Sequence, residues 1–253
     1  MALDEVTAKD DYLFIVSGDS ISKGVVYDET KSRYRVLEEN YVALLQSRLK
    51  GIVRNTAKFG NTLINGIGKL KNDILSQDPD IVLIEYGGND CDFNWNEIAG
   101  DPGAEHLPKT DYHLFEKKLR EAVDFVKERG IAPVLMTLPP LNAEKYLKWI
   151  SQDNPLAEAH ILQWLGSVTK IYWWQERYNS IIIKVAAETR TRWIDIRGAF
   201  LQYPDFTKFL CLDGIHPNQA GHRVIAAKIL EFIQSGYDYL LKETPPLTPE
   251  CNP

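Results

Sequence analysis

Four short motifs hold side chains that can perform chemistry, and each lies beyond a strand-like stretch. They occupy residues 18–20 (GDS), 55–60 (NTAKFG), 87–90 (GGND) and 213–217 (DGIHP). Together they supply a hydroxyl, an imidazole, an amide and several carboxylates, which are the groups that a nucleophile, its general base and a set of hydrogen-bond donors require. Each motif alone is a weak signal, but four of them at one edge of a sheet indicate nucleophilic catalysis.

The elements that must position these motifs are apolar runs that alternate with segments of helical period. Strands are predicted at residues 12–16, 52–54, 81–86, 131–138 and 193–196. Strands separated by helices predict a three-layer α/β/α sandwich of the flavodoxin-like type, with a five-stranded parallel sheet. Ligands of such folds bind at the carboxyl ends of the strands, where all four motifs fall.

The length of 253 residues is expected to form one domain, 1–253, with a core at about residues 11–235. Residues 93–108 carry glycine, proline and asparagine without a period, which predicts a long loop. The tail from Pro245 onward is expected to be loose.

One segment, about residues 141–178, departs from the alternation of strands and helices and is predicted to be a helical insert. Asn154-Pro155 divides it into two helical pieces. Aromatic faces suit both sugars and acyl chains, so the insert is expected either to cap a pocket or to form an ordinary packing face or a contact in a homo-oligomer. It contains four of the six tryptophans, Trp149, Trp164, Trp173 and Trp174.

With its motifs in this order, the chain resembles the SGNH hydrolases, also called the GDSL family of esterases and lipases. The resemblance covers about residues 11–235 and departs from the family pattern at Ile21, where leucine is usual, and at Asn61, where aspartate is common. Neither residue touches a reacting atom in the family's mechanism. The resemblance implies hydrolysis of carboxylic esters through an acyl-enzyme, with no metal ion and no organic cofactor.

The resemblance also implies a role for each matching residue. Ser20 corresponds to the nucleophile, His216 to its general base and Asp213 to the acid that orients the base. The oxyanion hole would comprise the backbone N–H groups of Ser20 and Gly60 and the side-chain amide of Asn89.

Physical chemistry supports these roles independently of the resemblance. A serine hydroxyl is a poor nucleophile until a base takes its proton, and a neutral imidazole with a carboxylate on its other nitrogen can do so. Asp213 and His216 are three residues apart and can meet within one loop turn. Gly60 has no Cβ to keep its backbone N–H from a substrate. Removing one hydrogen-bond donor of an oxyanion hole typically lowers kcat by about 10²- to 10³-fold.

Rival motifs of parallel sheets are absent from the sequence. Ser20 is not flanked by the glycines of a G-x-S-x-G nucleophile elbow, and the chain has no G-x-x-x-x-G-K-[ST] phosphate loop and no G-x-G-x-x-G dinucleotide motif. Asp195, at the end of the last strand, is the nearest competitor to Asp213 but is expected to be structural. Asp90 is expected to brace its loop.

Pocket walls are expected close to the GGND motif. Phe93 and Trp95 follow Asn89 within the same loop and are candidates for these walls. Asp19 is a further candidate for the pocket, although its ordinary role would be to bind backbone amides at the turn. His222 is expected on the surface of the last helix. Three other histidines have no partner pattern and are expected at the surface: His106, His113 and His160.

The three cysteines, Cys91, Cys211 and Cys251, form no C-x-x-C pair and no zinc spacing, which fits a reducing compartment. Cys91 lies two residues after Asn89, and Cys211 lies two before Asp213. One hypothesis is therefore that these two thiols lie close together near the site. The favoured interpretation is that both are small buried residues.

Charge and hydropathy exclude some partners. A net charge of −6 argues against a nucleic-acid partner, which favours a basic surface. The acidic N-terminus has neither the basic nor the apolar region of a secretory signal, and the apolar runs are too short to span a bilayer. These features predict a cytoplasmic protein without stable membrane insertion.

Charge and composition also bear on the substrate class. An acidic chain without a lipid-facing stripe favours a small-molecule ester with a short acyl group, such as O-acetyl on a carbohydrate. A lysophospholipase or lipase-like acylhydrolase is the alternative within the enzymes. A binding module on the same fold is disfavoured because no reacting residue is missing.

Overall fold

The computed structural model describes residues 1–243 and contains a parallel sheet and a separate hairpin. Its strands are β1 (Leu13–Gly18), β2 (Val25–Asp28), β3 (Arg33–Val36), β4 (Ile52–Asn55), β5 (Ile81–Glu85), β6 (Ala132–Met136) and β7 (Arg192–Ile194). Five of them form a parallel sheet in the order β4-β1-β5-β6-β7, whereas β2 and β3 pair with each other in antiparallel fashion. Counting only the five sheet strands, this is the flavodoxin order 2-1-3-4-5.

Helices follow the sheet strands, as expected for right-handed crossover connections. They are α1 (Ser20–Lys23), α2 (Tyr41–Arg48), α3 (Leu63–Gln77), α4 (Trp95–Gly100), α5 (Tyr112–Lys127), α6 (Ala143–Ser151), α7 (Pro155–Leu165), α8 (Thr169–Thr189), α9 (Ile196–Leu201) and α10 (Gln219–Gln234). Short polar side chains begin most of them: Asn40, for example, accepts hydrogen bonds from the N–H groups of Val42 and Ala43.

The sheet is buried between two helical layers. In β1, Phe14 and Val16 point to one layer, formed mainly by α2, α9 and α10, while Ile15 points to the layer of α3, α5 and α8. Side chains alternate across a strand, so a sheet covered on both faces requires continuous apolar runs. The three-layer fold predicted from those runs is confirmed.

Two predicted segments differ from the structure. The region 93–108 is not a continuous loop, because it contains the short helix α4. The insert has three helices, α6, α7 and the first part of α8, and α8 continues without a break to Thr189. Asn154 caps α7 and Pro155 occupies its first turn, as their types predict. The insert packs on α4 in an apolar cluster of its own.

The hairpin of β2 and β3 was not predicted. The apolar part of β2 is only two residues long, and β3 is partly or fully exposed and contains two arginines, so neither strand has the continuous apolar run of the sheet strands. Within residues 1–243, no helix has both the length and the apolar character needed to cross a bilayer. The tail from Pro245 lies outside the described residues.

Candidate active site

Ser20 is the first residue of α1, two positions beyond the end of β1. The Oδ1 atom of Asp19 accepts the N–H of Ile21 at 2.9 Å and so caps this short helix. Gly18 is required at this point, because a Cβ there would lie 2.6 Å from the carbonyl oxygen of Glu85 on the neighbouring strand. The turn therefore presents the Ser20 hydroxyl at the carboxyl edge of the sheet.

His216 and Asp213 lie in the loop before α10 and complete a chain of hydrogen bonds with Ser20. Nε2 of His216 lies 2.9 Å from Oγ of Ser20, and Nδ1 lies 2.6 Å from Oδ2 of Asp213. The other carboxylate oxygen, Oδ1, accepts the N–H groups of Ile215 and His216, each at 3.0 Å. The loop thus holds the carboxylate by its own backbone.

Opposing influences act on the Asp213 carboxyl. Burial raises its pKa, but the hydrogen bond from His216, the charge of His216 and the backbone N–H groups together lower the pKa below its ordinary value. Asp213 is therefore ionised at neutral pH and accepts the Nδ1 proton of His216. This tautomer leaves Nε2 free to accept the proton of the Ser20 hydroxyl.

The three groups predicted for an oxyanion hole line one cavity together with His216. The Asn89 amide nitrogen donates to Oδ2 of Asp19 at 3.1 Å, which fixes the orientation of the amide and leaves its second N–H for another acceptor. Gly60 has φ +69°, and a Cβ there would meet no protein atom. Its left-handed backbone, rather than crowding by the protein, is what favours glycine at position 60.

The cavity has a volume of about 690 Å³ and mixes aromatic with polar walls. Phe93 and Trp95, predicted as pocket walls, both line it. The insert supplies eight of the lining residues, so this segment borders the cavity in addition to packing on α4. The lining residues from the insert are Leu141, Tyr146, Trp149, Ile150, Gln152, Ile171, Trp174 and Gln175.

Asp19 borders the cavity but is only 1% exposed. Both of its carboxylate oxygens are engaged, Oδ1 by the N–H of Ile21 and Oδ2 by Asn89. Asp19 therefore borders the pocket, as predicted, and also has the ordinary role at the turn, while a contact with the substrate stays a prediction. Burial raises the pKa of Asp19.

Two further aspartates have structural positions. Asp90 accepts the Thr110 hydroxyl at 2.7 Å and the N–H of Leu63 at 3.1 Å, so it ties the GGND loop to α3 and braces it as predicted. Burial raises the pKa of Asp90 to about 7. Asp195 caps α9 by accepting the N–H of Gly198 at 2.8 Å, and it takes no part in the chain of Ser20 and His216.

Sequence reasoning missed three residues near the site. Tyr34 of the hairpin donates its hydroxyl to Oδ2 of Asp213 at 3.0 Å, and Phe59 stacks on the ring of His216 at 6.2 Å. Glu85 is fully buried in β5 behind Ser20. Glu85 could have been identified from the sequence, because it is an acidic residue within an otherwise apolar run, IVLIEY.

The prediction of a surface position for His222 is wrong. His222 is fully buried, its ring stacks on Tyr41, and its Nδ1 accepts the N–H of Tyr41 at 3.4 Å. The buried face of α10 contains Ile225 and Ile229, three and seven residues further on, so helical spacing places His222 on the same face. The expectation of surface positions fits His113, whereas His106 and His160 are partly buried.

Cys91 and Cys211 are free and buried, and they belong to different apolar clusters. Burial raises the pKa of both thiols, to about 11 for Cys211. This favours the interpretation as small buried residues, while a close approach of the two thiols stays a hypothesis. Cys251 lies outside the described residues. Over residues 1–243, no group of three histidine, cysteine or acidic side chains is arranged to hold a metal ion.

Comparison with known proteins gives the same family from the sequence. The model of the GDSL-like lipase/acylhydrolase family matches residues 16–224, most of the chain. An acetylxylan esterase of Geobacillus stearothermophilus is 27% identical over 242 residues, which cover 90% of this chain and 94% of that protein. An arylesterase of Vibrio mimicus is 28% identical over 148 residues, covering 58% of this chain and 65% of that one.

Solved structures share the fold. The lipase/acylhydrolase from Enterococcus faecalis superposes with a TM-score of 0.65 at 20% identity, covering 93% of this chain and all of that one (100%). The crystal structure of the acetylxylan esterase from Geobacillus stearothermophilus gives a TM-score of 0.60 at 22% identity, covering 94% and 100%. The family match extends from the strand before Ser20 to the helix after His216. The chain therefore belongs to the GDSL-like lipase/acylhydrolase (SGNH hydrolase) family, and it is a carboxylic ester hydrolase.

Proposed function

We propose that this esterase removes short acyl groups, above all acetyl, from carbohydrate esters, with Ser20 as nucleophile, His216 as general base and Asp213 as its orienting acid. The observation that carries the proposal is the hydrogen-bond chain from Ser20 through His216 to Asp213, with distances of 2.9 and 2.6 Å, at the edge of a wide aromatic cavity.

In the proposed reaction, Oγ of Ser20 attacks the carbonyl carbon of the ester while its proton moves to Nε2 of His216. The negative charge on the carbonyl oxygen is stabilised by the backbone N–H groups of Ser20 and Gly60 and by the amide of Asn89. When the tetrahedral intermediate collapses, the alcohol leaves with the proton from Nε2. Water then attacks the acyl-enzyme by the same steps, releasing the acid and restoring Ser20.

The composition of the cavity favours a hydroxylated alcohol over a long acyl chain. Trp149 and Trp174 offer flat apolar faces, while Asn94, Lys109 and Gln152 offer hydrogen-bonding groups around them. A sugar presents both kinds of surface, whereas a fatty acyl chain would leave the polar groups unpaired. The similarity to an acetylxylan esterase over 90% of the chain supports the same choice.

A chain-length series tests the proposal. We expect p-nitrophenyl acetate to be cleaved with a higher kcat/KM than the butyrate, octanoate and laurate esters, and acetate to be released from acetylated xylo-oligosaccharides. Ser20→Ala should be inactive on all of them. An activity that rises with acyl length would instead favour a lysophospholipase and would overturn the short-acyl proposal.

A further inference from the structure

Glu85, the last residue of β5, is a fully buried carboxyl group behind the nucleophile. Its Oε2 atom accepts the Ser22 hydroxyl at 2.7 Å and the N–H of Asp19 at 3.5 Å. Its Oε1 atom is buried and accepts no hydrogen bond from any described residue. A buried carboxylate oxygen without a donor is costly, so this atom requires an explanation.

The surroundings of Glu85 disfavour a negative charge. The groups near it are the Asp19 carboxyl and the hydroxyls of Ser22 and Tyr41, and no salt bridge within residues 1–243 includes Asp19 or Glu85. Two adjacent buried carboxylates cannot both ionise without a large free-energy cost. Burial, followed by the charge of Asp19, raises the pKa of Glu85 well above its ordinary value.

The two carboxyl groups differ in the donors that they accept. The Asp19 carboxyl accepts two N–H groups, from Ile21 at 2.9 Å and from Asn89 at 3.1 Å, which favours its ionised form. Glu85 accepts one short hydrogen bond, from the Ser22 hydroxyl, and its Oε1 has no donor among the described residues, which favours its protonated form. Asp19 in turn accepts the Asn89 amide on Oδ2. Glu85, Asp19 and Asn89 therefore form a chain from the interior of the sheet to the cavity.

We propose that Glu85 is a positioning residue that, in its protonated form, donates a hydrogen bond to the Asp19 carboxylate and so holds that carboxylate against the Asn89 amide. One N–H of Asn89 is fixed by Asp19, and the other is directed toward the developing oxyanion. Glu85 touches neither the substrate nor a reacting atom. The inference rests on the proposed function, in which Asn89 stabilises the oxyanion.

Two substitutions separate hydrogen bonding by Glu85 from its packing. Glu85→Gln is neutral and keeps an N–H donor for Asp19, whereas Glu85→Met fills a similar volume without any donor. With p-nitrophenyl acetate at pH 7, we expect kcat of Glu85→Gln to stay within about threefold of the parent and kcat of Glu85→Met to fall about 10- to 100-fold, with KM changed less than about twofold. Equal losses in both variants would overturn the proposal.

A double-mutant cycle shows whether Glu85 acts through Asn89. In an Asn89→Ala background, the amide that Glu85 and Asp19 would orient is absent. Glu85→Met should therefore lower kcat further by less than about threefold. A full additional loss would mean that Glu85 acts elsewhere, and the proposal would fail. Failure of the proposed function is distinguished by Ser20→Ala, which would then be as active as the parent.

Infrared spectroscopy gives a readout that does not depend on the folding of Glu85→Met. At pH 8 in D₂O, the parent enzyme should show the C=O stretch of a protonated carboxyl group, and Glu85→Gln should lack that band. An identical band in both proteins, or its absence from the parent, would show that Glu85 is ionised and would contradict the proposed direction of the hydrogen bond.

Discussion

The hydroxyl of Tyr34 lies 3.0 Å from Oδ2 of Asp213, the same oxygen that faces Nδ1 of His216. Burial, followed by the charge of Asp213, raises the pKa of Tyr34, so the hydroxyl keeps its proton and acts as a donor. The ring of Tyr34 also meets the ring of His216 edge to face at 5.2 Å. The hairpin of β2 and β3 therefore supports the proposed catalytic histidine and its carboxylate from the side.

Removing this hydroxyl should slow the reaction. A hydrogen bond to a charged group contributes about 1.5 to 3 kcal/mol, so we expect Tyr34→Phe to lower kcat/KM for p-nitrophenyl acetate by about tenfold or more. The neighbouring Tyr27 provides the control, because its ring also packs on Trp149 but no hydrogen bond joins its hydroxyl to Asp213 within the described chain. If Tyr27→Phe and Tyr34→Phe have the same kcat/KM, the hydroxyl of Tyr34 has no role in the relay.

Trp149 should contribute more to binding of the alcohol part of the substrate than to binding of the acyl part. Its ring lines the cavity and packs edge to face on Tyr27 at 4.6 Å. We expect Trp149→Ala to raise KM for acetylated xylo-oligosaccharides about tenfold, ~1.4 kcal/mol, while kcat/KM for p-nitrophenyl acetate stays within about threefold. Initial rates on both substrates provide the measurement.

The matched control for this prediction is Trp173→Ala in the same insert, because Trp173 is 58% exposed and does not line the cavity. Trp173→Ala should leave KM for acetylated xylo-oligosaccharides and kcat/KM for p-nitrophenyl acetate unchanged. A uniform loss on both substrates in Trp149→Ala would contradict the assignment of this wall to the carbohydrate.

His222 should make the fold sensitive to acid. Burial lowers its pKa to about 4 from the 6.5 of an exposed histidine. Between these values the unfolded chain binds a proton that the folded chain does not, so stability falls as the pH drops below 6.5, by about 2 kcal/mol at pH 5. His222→Gln keeps an acceptor for the Tyr41 N–H, and its free energy of unfolding in urea should fall less between pH 7 and pH 5. An equal fall in both proteins would contradict this origin.

The fold and the proposed catalytic residues could be predicted because their signals are local. Apolar runs such as residues 81–84 define buried strands, and the motifs that contain Ser20, Asn89 and His216 each occupy a loop beyond a strand. Asp213 and His216 are close in sequence, so their contact needs only one loop. The parallel sheet then brings the separate loops to a common edge.

The supporting residues could not be predicted in the same way. Tyr34 contacts Asp213 across 179 positions of the chain, from a hairpin whose polar residues carry no strand signal of the kind seen in the sheet. The stack of Phe59 on His216 likewise depends on tertiary packing. The positions of His222 and Glu85 could have been predicted. Helical spacing places His222 on the buried face of α10, and Glu85 is an acidic residue within an apolar strand.

Covalent labelling tests the central claim most directly. A fluorophosphonate should react with the Oγ atom of the activated serine, forming an O–P bond and releasing fluoride, and should abolish hydrolysis of p-nitrophenyl acetate. We predict one adduct per chain by intact mass, mapped to Ser20 by peptide sequencing, and neither adduct nor activity in Ser20→Ala. An adduct on another residue that accompanies the loss of activity, or full activity in Ser20→Ala, would contradict the assignment of Ser20 as the nucleophile.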